Sequence, residues 1–323
     1  MNKRLSSFVL NNNEKPIKQL ISQLPFEPTK SQLKVMKEII QDMQKNTPMM
    51  RLVQGDVGSG KTLVALFGAL HAISNGYQVA FMAPTEILSE QHFQSIKLML
   101  EGFDINIAIL YSGIKAKEKE MIIEDIRLGN IDLIIGTHAL IQNQISFANL
   151  ALVIIDEQHK FGVHQRMTLT SKGKKIDTFP HQLILTATPI PRTLAMSLYG
   201  NLDYSIIDEM PKGRQDIDTI ALPEERRSEV LKKISVKCKD GNQVYWVCPL
   251  INESEVLECK AAINTYEELR NELKDINIGL IHGKMKMQEK EKVMSDFRSK
   301  KIDLLVSTTI IEVGLDVPNA TVM

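Results

Sequence analysis

The sequence predicts an α/β protein of two units, each a mainly parallel sheet covered by helices, with the second sheet incomplete. Three observations carry this. Short runs rich in Val, Ile and Leu alternate with amphipathic helical stretches along nearly the whole chain. A glycine-rich loop of phosphate-binding pattern lies between one such run and the helix that follows it. The alternation breaks at Met210–Gly213, where MPKGR carries the Pro and Gly of a connector, and then restarts.

In chain order, the apolar runs of the first unit are Met50–Gln54, Gln78–Ala83, Ile105–Leu110, Asp132–Thr137, Ala151–Asp156 and Gln182–Thr186. Their apolar residues are consecutive, as strands buried on both faces require. Helical patterns fall between them at Ser31–Gln44, Leu63–Asn75 and Ile87–Leu100. After the break come strands at Gln243–Leu250, Ile278–His282 and Ile302–Thr308, helices near Asn264–Lys274 and Met287–Arg298, and a last short run at Ala320–Met323. The domains expected are therefore an N-terminal extension (1–24), a nucleotide-binding unit (25–212) and a second unit (213–323). The second is short for a domain, so marginal stability is expected of it. The charged stretch Lys284–Lys301 reads as a solvated helix face.

Composition narrows the function classes. Lys+Arg and Asp+Glu both number 39 in 323 residues, so contact with nucleic acid must rest on local groups rather than net charge. Cys238, Cys248 and Cys259 are three widely spaced thiols, which fit neither a disulfide framework nor a zinc ribbon. No run approaches the roughly 20 apolar residues of a membrane helix. A cytoplasmic protein without zinc is expected.

Gly55-Asp56-Val57-Gly58-Ser59-Gly60-Lys61-Thr62 matches G-x-x-x-x-G-K-[ST] in the required strand–loop–helix context. Glycines let the loop wrap so that backbone N–H groups converge on phosphate oxygens, and the helix adds its positive end. Lys61 neutralises phosphate charge, and the Thr62 hydroxyl is a ligand for Mg2+. About a hundred residues on, Ala151–Asp156 is a buried strand ending in the acidic pair Asp156-Glu157, followed by Gln158-His159. Carboxylates at strand ends lie where α/β sheets bind ligands. Asp156 suits Mg2+, and Glu157 suits activation of an attacking water. His159 and His164 are five apart and do not form a zinc motif.

The segments RLVQGDVGSGKTLVA, APTEILSEQHF, GTHALI, DEQHKFGVHQR, LTATPIPRTLAMSLYG, YWVCPLI, GLIHGKM and STTIIEVGLDVPNA, in this order, resemble superfamily-two helicases, specifically the RecG branch-migration family. The resemblance covers roughly Leu24 to Met323 and implies two RecA-like P-loop NTPase domains working as an ATP- and Mg2+-dependent DNA translocase. It implies that Phe26 and Gln32 recognise adenine, that Pro84, Thr85, Gly136, Thr137, His282 and Thr308 contact one DNA strand through backbone and hydroxyl groups, and that Thr186 and Thr188, with Gln158 and His159, couple the nucleotide site to DNA. Gly314 and Asp316 resemble the motif that faces nucleotide from the second domain. The family pattern continues with a Q-x-x-G-R-x-G-R helix, and also has a wedge domain, that this sequence lacks; impaired hydrolysis and a monomer are expected. Two other readings stay open: an ATP- and DNA-binding remnant without motor action, and the motor core of a transcription-repair coupling factor.

Overall fold

A computed structural model of the chain describes residues 6–157, 169, 171–173, 178–188, 202–210, 217–248, 255–309, 317 and 319–323. It divides into two compact units, Met1–Arg214 and Gln215–Met323.

The first unit is built on seven parallel strands: β2 (Met50–Gly55), β3 (Gln78–Met82), β4 (Ile107–Leu110), β5 (Leu133–Gly136), β6 (Leu150–Asp156), β8 (His181–Thr186) and β9 (Asp203–Ile207). Their order is β4-β5-β3-β6-β8-β2-β9. β3, β5 and β6 are buried at every residue, as their unbroken apolar sequences demand. α2 (Lys30–Met43) starts at Thr29, whose hydroxyl accepts from Gln32 N–H while the Gln32 side chain accepts from Thr29 N–H. Its apolar face, Val35, Met36, Ile39, Ile40 and Met43, packs into the main core beside α3 (Lys61–Ile73). α4 (Glu86–Met99) and α5 (Ala116–Leu128) complete the crossovers.

The N-terminal segment, expected to be an extension, belongs to this unit. β1 (Ser6–Ser7) pairs in parallel with β7 (Thr178–Phe179). α1 (Lys15–Gln23) lays Ile17 and Leu20 against the main core, which Phe8 and Leu10 also join. The reason is its amphipathic pattern: apolar Ile17, Leu20 and Ile21 recur at helical spacing and need a partner surface. Buried His181 fastens the segment, with Nδ1 accepting from Met49 N–H and Nε2 donating to Phe8 O at 2.7 Å.

Across β2, Arg51 is buried and donates to Asp42 of α2 from Nε at 2.9 Å and to Ser205 of β9 at 2.6 Å. This ties the helix that follows Phe26 to the strand that leads into the phosphate loop.

The second unit has four parallel strands in the order β11-β12-β10-β13. These are β10 (Gln243–Val247), β11 (Ile278–Ile281), β12 (Leu304–Ser307) and β13 (Ala320–Val322), flanked by α6 (Arg227–Lys239), α7 (Glu255–Glu272) and α8 (Met287–Arg298). α8 is solvated on its outer face only; on the inner face Lys290 is buried and donates to Gly283 O at 2.9 Å. Met294 and Phe297 anchor its inner face. The three thiols are free and buried; burial, with Asp303 nearby, pushes Cys238 up to about 11. Among the described residues, no helix is long and apolar enough to cross a membrane.

Candidate nucleotide and nucleic-acid site

Three parallel strands of the first unit end at one level. β8 lies between β2 and β6, with Gln54 opposite Thr186 and Leu185 opposite Asp156. At about 4.8 Å per strand, the start of the phosphate loop, the Thr186 turn and the acidic pair fall within roughly 10 Å of one another laterally. This is the carboxyl edge of the sheet, where ligands bind in α/β folds.

The loop from β2 to α3 has the properties of an anion cradle. Gly60, the N-cap of α3, is left-handed (φ 85°) and offers no side-chain cap. α3 thus starts without a side-chain cap of the kind that Thr29 gives α2 and Thr85 gives α4. Ser59 Oγ is buried without a hydrogen-bond partner. Lys61 Nζ donates to Gly55 O at 2.7 Å and Asp56 O at 3.1 Å, which holds the ammonium at the mouth of the loop. Thr62 follows, half-buried, and with Asp156 supplies hard oxygen donors that suit a magnesium ion. The donors present thus fit a magnesium-bound nucleotide phosphate chain.

Gln32 is nearly fully buried, and its side chain is committed to the protein. Its Oε1 accepts from Thr29 N–H at 2.9 Å, and its Nε2 donates to Ser59 O at 2.7 Å. It braces the phosphate loop, so reading an adenine edge would have to use its remaining N–H and lone pair. Phe26, by contrast, is half exposed.

The acidic pair is differently bonded at each carboxylate. Asp156 Oδ2 lies 2.9 Å from Nε2 of His92 on α4, a residue the sequence reading passed over. Glu157 adopts φ 49°, a left-handed conformation costly for a non-glycine residue. Its Oε1 accepts from Ala187 N–H at 3.0 Å, and its Oε2 accepts from the Thr186 hydroxyl at 3.3 Å. Thr186 Oγ1 in turn accepts from Thr188 N–H at 3.2 Å and lies 2.8 Å from Thr188 Oγ1. The Thr-Ala-Thr turn therefore grips Glu157. Gln158, His159, Gly314 and Asp316 lie outside the described residues.

The residues expected on a DNA strand divide. Pro84 and Thr85 are half-buried at the head of α4, where the Thr85 hydroxyl accepts from Leu88 N–H. Gly136 ends β5; a Cβ there would meet Leu110 O at 2.2 Å, so the position is closed to any larger residue. Thr137 and Thr308 are 1% and 2% exposed, so neither hydroxyl lies on the surface of its unit. Both directly follow buried strands and point inward; Thr137 N–H is taken by Leu110 O. His282 is partly exposed, and burial, then Lys290, lowers its pKa.

Residues 29–197 match the DEAD/DEAH box helicase family, and residues 226–323 match the helicase conserved C-terminal domain. The chain is 55% identical over 306 residues to the ATP-dependent DNA helicase RecG of Pasteurella multocida, covering 94% of this chain and 44% of that protein. It is 51% identical over 315 residues to the RecG of Escherichia coli K12, covering 97% and 46%. It thus spans under half the length of these relatives. Among solved structures, RecG bound to a three-way DNA junction matches with TM-score 0.76 and 40% identity, over 98% of this chain and 41% of that one. The DEAD-box helicase Mss116, bound to single-stranded RNA, shares the fold at TM-score 0.74 and 19% identity, over 97% and 66%. The chain belongs to the DEAD/DEAH box helicases, and its sequence is that of a RecG core with two RecA-like helicase domains.

Proposed function

We propose that this chain binds Mg·ATP at Gly55–Thr62 and hydrolyses it to move on DNA, as the ATP-dependent motor core of a RecG-type helicase acting on branched DNA. In this reading residues 25–212 are the ATP-binding helicase domain and 213–323 the second helicase domain, working as a cytoplasmic monomer. The observation that carries it is the alignment of the uncapped α3 terminus, Lys61, Thr186 and the Asp156–Glu157 pair on one sheet edge. The relatives named as DNA helicases, one of them held on a three-way junction, support DNA as the track.

The residues take the following parts. The backbone of Gly55–Gly60 and the α3 terminus bind the phosphates, with Phe26 against the base and Gln32 holding the loop to α2. Lys61 moves from the loop carbonyls to the phosphate oxygens. Thr62 and Asp156 would hold Mg2+, which would supply neutralisation of charge on the leaving phosphates. Glu157 takes a proton from the attacking water, and its bonds to Thr186 and Ala187 fix its orientation while making it sensitive to any shift of the Thr-Ala-Thr turn. That turn, with Gln158 and His159, couples the site to DNA, and Gly314 and Asp316 are assigned to the nucleotide by resemblance to the family's motif alone. Pro84, Thr85, Gly136 and His282 border the strand, contacting phosphate rather than bases.

The test is ATP turnover by the full chain with and without a three-way DNA junction, beside Glu157→Gln. DNA is expected to raise turnover, and Glu157→Gln to lower kcat about 10²–10⁴-fold while nucleotide binding persists. A Glu157→Gln protein that turns over like the parent contradicts the assignment.

A further inference from the structure

His92 lies on α4, seven residues beyond Thr85, the cap of that helix. Its ring is tilted against Phe81 of β3, centroids 4.8 Å apart at 48°. Its side chain and that of Asp156 are 11% and 12% exposed, and Nε2 meets Asp156 Oδ2 at 2.9 Å. A carboxylate can only accept, so Nε2 carries the proton and donates. Packing on Phe81 fixes the ring plane, and the hydrogen bond fixes the carboxylate.

We propose that His92 is a positioning residue for the metal carboxylate: it occupies Oδ2 and so assigns Oδ1 of Asp156 to the magnesium shell. The inference rests on the reading of Gly55–Thr62 as a Mg·ATP site. Three features of the contact support it. An unrestrained Asp at a strand end has free rotation about χ1 and χ2, and either oxygen can turn to the metal. A single charge-assisted bond from a ring that cannot swing removes that freedom before the ion arrives. The same bond joins the middle of α4, two turns beyond its Thr85 cap, to the metal carboxylate, so a shift of α4 reaches Asp156 directly. Partners of metal ligands at this remove, when lost, weaken metal affinity by about 10–100-fold.

The experiment titrates Mg2+ into the full chain saturated with a fluorescent ADP analogue, for the parent, His92→Leu and His92→Gln. Binding of the analogue in EDTA is measured first, and thermal unfolding alongside. Gln places an amide nitrogen as many bonds from Cα as Nε2, so it restores the donor. The half-saturating Mg2+ concentration is expected to rise about 10–100-fold in His92→Leu and to stay within about threefold of the parent in His92→Gln. Analogue binding in EDTA is expected to be the same in all three. If His92→Leu does not fold, His92→Asn replaces it, because its amide is one carbon too short to reach Asp156; a rise in Asn but not Gln supports the proposal. An unchanged Mg2+ requirement in His92→Leu, or equal impairment of Leu and Gln, overturns it. A parent chain that binds the analogue in EDTA but ignores Mg2+ overturns it while sparing nucleotide binding. A parent that binds no analogue removes the underlying reading as well.

Discussion

Replacing Gly60 with Ala tests how the phosphate loop is built. Gly60 sits at φ 85°, and a Cβ there would lie 2.3 Å from Gln32 Nε2. The left-handed conformation costs a non-glycine residue about 1–2 kcal/mol. The clash also displaces the Gln32 amide from Ser59 O, the 2.7 Å bond that joins α2 to the loop, at about 1 kcal/mol. Gly60→Ala should therefore destabilise the first unit by roughly 2–3 kcal/mol. With an m-value of about 2 kcal/mol/M in urea, the midpoint should fall by roughly 1 M. The assay is urea unfolding followed by far-UV circular dichroism, because the single tryptophan, Trp246, lies in the second unit and reports on that one. Nucleotide affinity should fall with it, since the loop's N–H groups are re-aimed. An Ala variant with the parent's midpoint and affinity would refute the reasoning.

Other outcomes follow from the same geometry. Asp42→Ala strands the buried Arg51 guanidinium; Glu38, 3.3 Å away and partly exposed, takes up some of the charge. The loss should lie near the lower end of about 3–5 kcal/mol, read by the same urea titration. His71, on α3, is fully buried with neither ring nitrogen hydrogen-bonded, and burial, with His181 nearby, lowers its pKa from 6.5 to about 4. The folded state refuses a proton that the unfolded state accepts, so stability is full above the unfolded value and is lost as pH falls from about 6.5 towards 4. The loss from this group should reach on the order of 2–3 kcal/mol. His71→Leu should keep the parent's midpoint at pH 7.5 and flatten its decline between pH 6.5 and 4.5; an unchanged acid slope would count against this.

The elements the sequence revealed are those whose residues repeat one burial pattern. β3, β5 and β6 read directly from unbroken apolar runs. β9, Asp203–Ile207, escaped because DYSII mixes exposed and buried positions on an edge strand. α6 escaped because only Leu231, Ile234 and Cys238 of its thirteen residues are buried, so its apolar stripe is thin. At the site, residue type was legible and contacts were not. G-x-x-x-x-G-K-T specifies a cradle because backbone conformation and charge are written in glycine and lysine. The T-x-x-Q of LPFEPTKSQ foretells the bond between the Gln32 amide and Thr29, but nothing there tells that its Nε2 is spent on Ser59. Thr137 and Thr308 look like free hydroxyls in sequence, yet a residue ending a buried strand points wherever the register turns it. His92 was invisible for the same reason: its partner Asp156 lies 64 positions away, brought near only by the β3–β6 pairing.

The account stands most directly on whether the loop binds nucleotide through Lys61. Calorimetric titration of a non-hydrolysable ATP analogue with Mg2+ into the full chain should give saturable binding at one site per chain. Lys61→Ala, which removes the ammonium now resting on Gly55 O, should weaken that binding at least about tenfold without shifting the unfolding midpoint. Equal affinity in the two proteins, or no binding by the parent, would contradict the assignment of Gly55–Thr62 as the ATP site.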